Sequence, residues 1–223
     1  MSENLWAAVD RYIDDVLVAP DEALSAALAA SARAGLPPIA VSPSQGKLLH
    51  LMARSQSARR ILEIGTLGGY STIWLARALP EDGKLITLEA DSKHAEIAGA
   101  NIARAGLDRR VDLKLGEALK TLPLLAAEAP FDFTFIDADK PNNANYFSWA
   151  LKLSRRGSLI VVDNVVRDGE IVKASSRDPG VRGVRRLFDL IAAEPRVSAT
   201  AIQTVGSKGY DGLVVALVIA DPI

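Results

Sequence analysis

The stretch ILEIGTLGGYSTIWL, residues 61–75, determines the fold that we predict for this chain. A short aliphatic run leads into Gly65, two further glycines follow at Gly68 and Gly69, and an apolar helical pattern then begins. A strand, a glycine-rich turn and a helix in this order are typical of nucleotide-type sites, because the backbone must approach the ligand closely. A carboxylate, Glu63, interrupts the aliphatic run, and its presence there needs an explanation.

Strand-like and helical stretches alternate after residue 60. Runs rich in β-branched and aromatic residues predict strands at 61–64, 85–90, 111–115, 131–137 and 158–163, with helices at 70–79, 92–105, 117–128 and 143–153. Strands separated by helices need right-handed crossovers, so we predict a parallel sheet that is covered on both faces.

Both ends of the chain add to this core. A helix at 179–193 precedes two strands, at 197–205 and 213–220, and the short turn GSKGYDG between the strands predicts an antiparallel hairpin. Three helices precede residue 57, and the third is predicted to start at Ser42-Pro43, a cap followed by proline. We therefore predict one α/β domain over 1–223: a helical cap region, 1–57, and a doubly wound, mostly parallel seven-stranded core, 58–223.

Composition excludes several classes of protein. Lys and Arg number 26 against 27 Asp and Glu, so there is no basic excess for nucleic acid or an anionic membrane. The longest apolar run, 213–220, has eight residues, far below the roughly 20 that span a bilayer. There is no cysteine, which excludes thiolate catalysis and zinc–sulfur sites. With no signal peptide visible, we expect a cytoplasmic protein.

The glycine spacing limits the classes of ligand that the loop could bind. The order G-x-x-G-G lacks both the dinucleotide fingerprint and the P-loop lysine, which weakens the nicotinamide and nucleoside-triphosphate interpretations. Glu63 would repel a pyrophosphate but suits a positive group, such as the ammonium of an amino-acid moiety. Glu89 closes the second strand, 24 residues after Gly65, where an acidic residue binds ribose hydroxyls.

A second polar cluster follows two later strands. Asp137 ends one strand and Asp163 and Asn164 end another, and ligands of open α/β sheets bind at such strand ends. Three oxygen ligands suit a hard cation: Mg²⁺, Ca²⁺ or Mn²⁺. Lys140 should point toward the same space. We interpret the aromatic residues of the next helix, Tyr146, Phe147 and Trp149, as packing residues, with a place for Tyr146 in the pocket as the alternative.

With these residues the sequence resembles the class I S-adenosylmethionine-dependent methyltransferases. Within that class it resembles the cation-dependent O-methyltransferases, the family of animal catechol and plant caffeoyl-CoA O-methyltransferases and many bacterial relatives. Five motifs in order carry the resemblance, from about residue 35 to the end: 37–49, 62–71, 85–91, 135–140 and 161–166.

The resemblance implies a Rossmann-like enzyme that uses S-adenosyl-L-methionine and a divalent cation, with Mg²⁺ as the first choice. It implies methyl transfer to one hydroxyl of a vicinal dihydroxy acceptor, catechol-like or phenylpropanoid, and a homodimer. The implied cofactor-binding residues are Val41, Glu63, Gly65, Ser71, Glu89, Ala118 and Asp137. The implied metal ligands are Asp137, Asp163 and Asn164, and the implied catalytic residues are Lys140, as general base, and Asp137.

One stretch departs from the family pattern. Animal catechol O-methyltransferase places a glutamate against the second acceptor hydroxyl, shortly before its last hairpin strand. Here that region reads QTVGSKGYDG, 203–212, with no acidic residue at the corresponding place. The acceptor pocket should therefore differ, which leaves the acceptor open.

Other functions fit parts of the pattern. A methyltransferase acting on a sugar or macrolide diol shares every motif above. A nicotinamide-dependent oxidoreductase shares the sheet but not the glycine spacing. A non-catalytic adenosyl-binding module would explain the loop but would have no use for Lys140 or the strand-end carboxylates.

Overall fold

The computed structural model describes residues 3–221. The helices are α1 Glu3–Leu17, α2 Glu22–Arg33, α3 Pro43–Ser55, α4 Tyr70–Ala76, α5 Ser92–Arg104, α6 Ala118–Thr121, α7 Asn143–Lys152 and α8 Pro179–Ala193. The strands are β1 Arg60–Ile64, β2 Lys84–Glu89, β3 Val111–Leu115, β4 Phe131–Ile136, β5 Ser154–Asp163, β6 Val197–Gly206 and β7 Gly209–Val218. None of the helices described is long and apolar enough to cross a membrane.

The seven strands form one sheet in the order β3-β2-β1-β4-β5-β7-β6. The first five run parallel, and β7 is antiparallel to both β5 and β6. The predicted doubly wound sheet with its C-terminal hairpin is therefore confirmed. The chain winds outward in one direction from β1 and in the other from β4, so the crevice between their carboxyl ends is where such folds bind ligands.

Two hydrophobic clusters cover the two faces of the sheet. One contains Phe133 and Phe135 with apolar residues of α2, α3, α4 and α5. The other contains Phe131 and Phe147 with apolar residues of α7 and α8. Because both faces are covered, the central strands are buried almost throughout rather than in alternation. The helices before residue 57 pack on the same core as the sheet, and a boundary at residue 58 stays a prediction.

Local signals account for where α2 and α3 begin. The Ser42 hydroxyl accepts the Gln45 N–H at 3.2 Å and Pro43 fills the first helical position, as predicted for α3. Asp21 caps α2 in the same way, accepting the Leu24 N–H at 2.8 Å. These caps satisfy N–H groups that have no partner within the helix.

Several predicted boundaries are wrong: the strand predicted at 158–163 begins at Ser154, the helix predicted at 70–79 ends at Ala76, and two further differences have a clear local cause. The helix predicted at 117–128 forms only the single turn α6 and continues as a 3₁₀-helix, Leu122–Glu128. Pro123 lacks an amide hydrogen and cannot continue the α-helical pattern. The last strand begins at Gly209 rather than at 213, because β6 and β7 stay paired up to Gly206 and Gly209. The turn is therefore a two-residue turn.

Candidate active site

Glu63 is completely buried and surrounded by hydroxyl groups. Its Oε1 accepts the Ser71 hydroxyl at 2.6 Å, and its Oε2 accepts those of Thr72 at 2.5 Å and Thr87 at 2.7 Å. Burial raises the pKa of Glu63 to about 7, although the three hydroxyls lower it. The carboxylate thus ties β1 to β2 and to the start of α4, which explains its place in the aliphatic run. Its contact with a cofactor stays a prediction.

Gly65 lets the end of β1 approach the end of β4. Its φ is 99°, in the left-handed region, and a Cβ there would lie 2.2 Å from the Asp137 carbonyl oxygen. Any side chain at this position would therefore separate the two strand ends. Because Gly65 has no side chain, the backbone of Asp137 can lie directly beside the glycine loop.

Glu89 supports the glycine loop from the neighbouring strand. Its Oε2 accepts the backbone N–H groups of Thr66 at 3.2 Å and Leu67 at 2.8 Å, and its Oε1 accepts that of Asp91 at 3.0 Å. The Nδ1 atom of His94 lies 3.6 Å from Glu89 Oε1. The sequence pattern predicts only a helix at His94 and gives no sign of this contact. Glu89 therefore shapes the loop, and its predicted contact with the ribose stays a prediction.

The strand-end residues of β4 and β5 come together as predicted. Lys140 Nζ donates to Asp137 Oδ1 at 2.7 Å, and the two side chains are only 12% and 24% exposed. Asp163 is buried, and burial together with the Asp137 carboxylate raises its pKa, while Lys140 lowers it. The N–H of Asn164 donates to Asp163 Oδ1 at 2.8 Å. The Lys140 ammonium therefore already offsets part of the negative charge of Asp137 and Asp163.

Gln45 belongs to this cluster, and the sequence analysis missed it. Its Nε2 donates to Asp163 Oδ2 at 2.7 Å, across a separation of 118 residues. The cap at Ser42 starts α3 at the right place to bring Gln45 over the strand end. Gln45 lies in the stretch 37–49, one of the five motifs that carry the family resemblance. No spacing along the chain relates Gln45 to β5, so only the contact with Asp163 identifies its role.

A cleft of about 270 Å³ opens beside Asp163 and Asn164, bounded by α1, the start of α3 and the β6–β7 hairpin. Its lining includes Asp10, Lys208 and Asp211. The Asp10 carboxylate accepts the Ser207 N–H at 2.7 Å, which fastens the hairpin turn to α1. Asp211, inside the hairpin stretch, accepts backbone N–H groups of the loop after β5. The cleft is therefore mixed in charge and lies where an acceptor could reach the strand ends.

Two further residues, Val41 and Ala118, are predicted to bind the cofactor, and their contacts with it stay predictions. Val41 is buried just before α3, and Ala118 starts α6. Phe147 is fully buried and Trp149 is packed against the same cluster, which confirms the interpretation of these aromatics as packing residues. Tyr146 is buried too, and its hydroxyl donates to Asp139.

The donor set at the strand ends is made of oxygen. Asp137, Asp163 and Asn164 supply two carboxylates and one amide, the ligand type of Mg²⁺, Ca²⁺ and Mn²⁺. Within residues 3–221 no group of three or more His, Cys, Asp or Glu side chains is arranged to hold a metal. The two carboxylates and the Asn164 amide together make three ligands. These cations take six or more oxygen ligands, so coordination positions would remain for oxygens from a substrate or from water.

Comparison with known proteins identifies the family. The family model described as O-methyltransferase matches residues 18–218. The catechol O-methyltransferase of Niastella koreensis is 52% identical over 98% of this chain and all of its own length. The O-methyltransferase of Bacillus cereus, solved in complex with SAH, is 58% identical with a TM-score of 0.96, covering 97% of this chain and all of the other. TomG of Streptomyces achromogenes, solved with SAM, is 53% identical with a TM-score of 0.96, covering 99% of this chain and all of the other.

These matches cover nearly the whole chain and agree with the site geometry. The glycine loop lies at the carboxyl end of β1, where open α/β sheets bind nucleotide-type ligands. The chain therefore belongs to the O-methyltransferase family and is a class I S-adenosylmethionine-dependent O-methyltransferase.

Proposed function

We propose that the protein transfers the methyl group of S-adenosylmethionine to one hydroxyl of a vicinal dihydroxy aromatic acceptor, with a divalent cation bound at the strand ends. The observation that carries this proposal is the Lys140–Asp137 pair at 2.7 Å beside the buried Asp163, at the edge of an open cleft. The catechol O-methyltransferase of Niastella koreensis, 52% identical, supports a catechol-like acceptor.

The cofactor is proposed to bind along the glycine loop. Gly65 leaves the backbone accessible at the crevice, and Asp137 lies directly beside it. The residues proposed to line this site are Val41, Glu63, Gly65, Ser71, Glu89, Ala118 and Asp137. Because Glu63 is enclosed by hydroxyls, its contribution is best explained as positioning Ser71 at the start of α4.

The metal ligands are proposed to be Asp137, Asp163 and Asn164, with Mg²⁺ as the first choice. Two carboxylates close together in a poorly hydrated place repel each other, as the raised pKa of Asp163 reflects. A positive charge between them relieves that repulsion, so these residues fit a cation. A bound dication would favour the ionised acceptor hydroxyl and orient both vicinal oxygens.

Lys140 is proposed to be the general base. A phenolic hydroxyl is mostly protonated at neutral pH, and it attacks a methyl sulfonium only as the oxyanion. Lys140 is held at the strand ends by Asp137 and is largely shielded from solvent. With a cation bound to Asp137, Lys140 would lose Asp137 as its partner, and its amine would be free to take the hydroxyl proton. A positioned base of this kind contributes about 10²–10⁴ in rate.

Chelation tests the metal. We expect EDTA to abolish methylation of catechol and Mg²⁺ or Mn²⁺ to restore it. Calorimetry on the same chelated samples should still show S-adenosylmethionine binding, because only one of the proposed cofactor residues, Asp137, is also a proposed metal ligand. Full turnover after exhaustive chelation would exclude the metal-dependent mechanism and leave the broader methyltransferase activity.

A pH–rate profile tests Lys140. The Lys140→Ala variant should lose about two to four orders of magnitude in turnover at neutral pH, and higher pH should recover part of the loss because more acceptor is then ionised. Lys114→Ala is the matched control, since Lys114 pairs with Asp112 at 3.0 Å on the edge strand β3. A large loss without recovery at high pH would assign Lys140 to acceptor positioning instead.

A methyltransferase acting on a sugar or macrolide diol is the second candidate. The cleft favours it in one respect, because its apolar lining consists of the aliphatic side chains Leu48, Val205 and Leu213. A panel of catechols, sugars and macrolide diols with labelled cofactor separates the two candidates.

A homodimer is proposed from the surface of α1. Leu5, Val9, Tyr12 and Val16 form one helical stripe, and each is about half exposed or more. An apolar stripe of this kind on a surface helix is typical of a protein interface. A cytoplasmic location stays a prediction from composition.

A further inference from the structure

The inward face of α1 carries two carboxylates. The described residues of α1 that are half-buried rather than exposed lie on one side of the helix: Trp6, Ala7, Asp10, Ile13 and Asp14. A surface helix normally turns apolar side chains inward, so two aspartates on that face need polar partners. Both have one, and the two partners belong to different elements.

The two aspartates fasten α1 to the C-terminal hairpin and to α3. Asp10 Oδ2 accepts the backbone N–H of Ser207, in the turn between β6 and β7, at 2.7 Å across 197 residues. Asp14 Oδ1 accepts the hydroxyl of Ser44, in the first turn of α3, at 2.5 Å. Because residues four positions apart lie on the same face of a helix, α1 holds both elements at once.

The hairpin turn leaves room for the Asp10 carboxylate. A Cβ on Gly206 would lie 2.4 Å from Asp10 Oδ2 and 3.1 Å from Asp10 Oδ1, so a side chain there would displace the carboxylate. The turn also contacts the segment before α3, because Lys208 Nζ donates to the Pro38 carbonyl at 3.0 Å. The turn is therefore tied to α1 on one side and to the start of α3 on the other.

The acceptor cleft lies between the elements that α1 fastens. Its lining comes from the start of α3, including Ser44 and Gln45, from the hairpin, including Gly206 and Lys208, and from Asp10 of α1. Its volume of about 270 Å³ is at the lower end for small-molecule pockets. The separation of the α3 side from the hairpin side therefore depends on how α1 holds them.

We propose that Asp10 and Asp14 are positioning residues that set the width of the acceptor cleft, so that the protein prefers vicinal diols on a single small ring to bulkier ones. This inference rests on the proposed function and concerns the size of its acceptor. Each contact requires an acceptor oxygen and not a negative charge. Asparagine keeps such an oxygen, whereas alanine removes it, so the two substitutions separate positioning from attraction of a cationic acceptor.

The test compares two uncharged acceptors, 4-methylcatechol and the bulkier 4-phenylcatechol. Wild-type protein should show the higher kcat/KM with 4-methylcatechol. In a variant carrying Asp10→Ala and Asp14→Ala, the ratio of kcat/KM for 4-methylcatechol over 4-phenylcatechol should fall by about tenfold, the scale of one or two lost hydrogen bonds. The change should lie mainly in KM. The affinity for SAH in calorimetry should stay at the wild-type value, which a general loss of structure would not allow.

The variant carrying Asp10→Asn and Asp14→Asn should retain most of the size preference. Asp15→Ala is the matched control, because Asp15 is exposed on the outward side of α1, and its ratio should equal that of wild type. A ratio unchanged in the alanine variant, an equal loss with both acceptors, or an asparagine variant as impaired as the alanine variant would overturn the proposal.

Amide hydrogen exchange tests the contact itself, without turnover. The Ser207 amide should exchange faster in Asp10→Ala than in wild type or Asp10→Asn, because only alanine leaves the amide without its acceptor. Equal exchange rates in all three proteins would overturn the proposal. If neither catechol is methylated, the proposed function fails, and the exchange of the Ser207 amide still decides whether Asp10 holds the hairpin.

Discussion

Glu63 combines complete burial with three hydroxyl partners, and the balance between them sets its pH dependence. Burial disfavours the charged form more than the hydroxyls favour it, which raises the pKa from 4.5 to about 7. A carboxyl whose pKa is higher in the folded state stabilises the fold fully below the unfolded pKa. That contribution is lost as the pH rises through the folded pKa. The window therefore runs from about pH 4.5 to 7.

Replacing Glu63 by glutamine should remove this pH dependence, because the amide keeps the size of the side chain but does not ionise. The unfolding free energy of Glu63→Gln relative to wild type should rise by about 3 kcal/mol between pH 5 and pH 8, from a shift of roughly 2.5 units. Urea unfolding of both proteins at the two pH values measures it. Glu96→Gln, at an exposed position of α5, serves as the control. A constant difference at both pH values would show that Glu63 is ionised throughout.

Helix α8 determines where the loop carrying Lys140 lies. Its Gly183 packs directly on that loop, and a Cβ there would lie 2.2 Å from the Lys140 carbonyl oxygen and 2.6 Å from Pro141 Cα. Because both atoms belong to the backbone, they cannot move aside as a flexible side chain would. An added methyl group would have to displace the helix or the loop, and with the loop the amine of Lys140.

The Gly183→Ala variant should therefore be destabilised by about 1–3 kcal/mol, the cost of overpacking, and should turn over more slowly. Gly99→Ala is the matched control, since Gly99 is also inside a helix and is exposed, and a Cβ there would have no other atom within 4 Å. That variant should gain about 0.5–1 kcal/mol from helix propensity. Thermal unfolding and steady-state kinetics measure both effects, and equal stabilities of the two variants would contradict the packing argument.

The whole molecule exposes more surface than a compact monomer of its size. Its accessible surface is 11207 Å², whereas a monomer of 23.7 kDa is expected to expose about 9,800 Å². The excess is of the order of the area that one protomer buries in a stable interface. The apolar stripe of α1 contributes to it, which supports the proposed homodimer.

A charge placed in that stripe should dissociate the proposed dimer. Light scattering should give twice the chain mass for wild type and a single chain mass for a variant carrying Tyr12→Glu and Val16→Glu. Arg11→Glu, also exposed on α1 but not three or four residues from any residue of the stripe, should leave the mass unchanged. A wild-type mass of one chain at all concentrations would exclude the dimer, and a dimeric double variant would place the interface elsewhere.

The sequence by itself determined the sheet, the crossover helices and the position of the glycine loop. These depend on local signals, namely apolar periodicity, caps such as Ser42 and the glycines after β1, and each works over only a few residues. It also indicated that Asp137 and Asp163 meet, because the carboxyl ends of parallel strands lie at one edge of a sheet. One of its errors, the α-helix predicted at 117–128, arose because Pro123 interrupts the α-helical pattern.

Only the tertiary structure decided what each polar group contacts. The hydroxyls around Glu63 come from α4 and β2, Gln45 reaches Asp163 across 118 residues, and Gly183 of α8 packs against the backbone of Lys140. No periodicity relates such positions, because the distance between them is set by how elements pack and not by their spacing along the chain. The sequence therefore indicated that Asp137, Lys140, Asp163 and Asn164 lie at the active-site edge, and the packing added Gln45 to them and decided which side chains are paired.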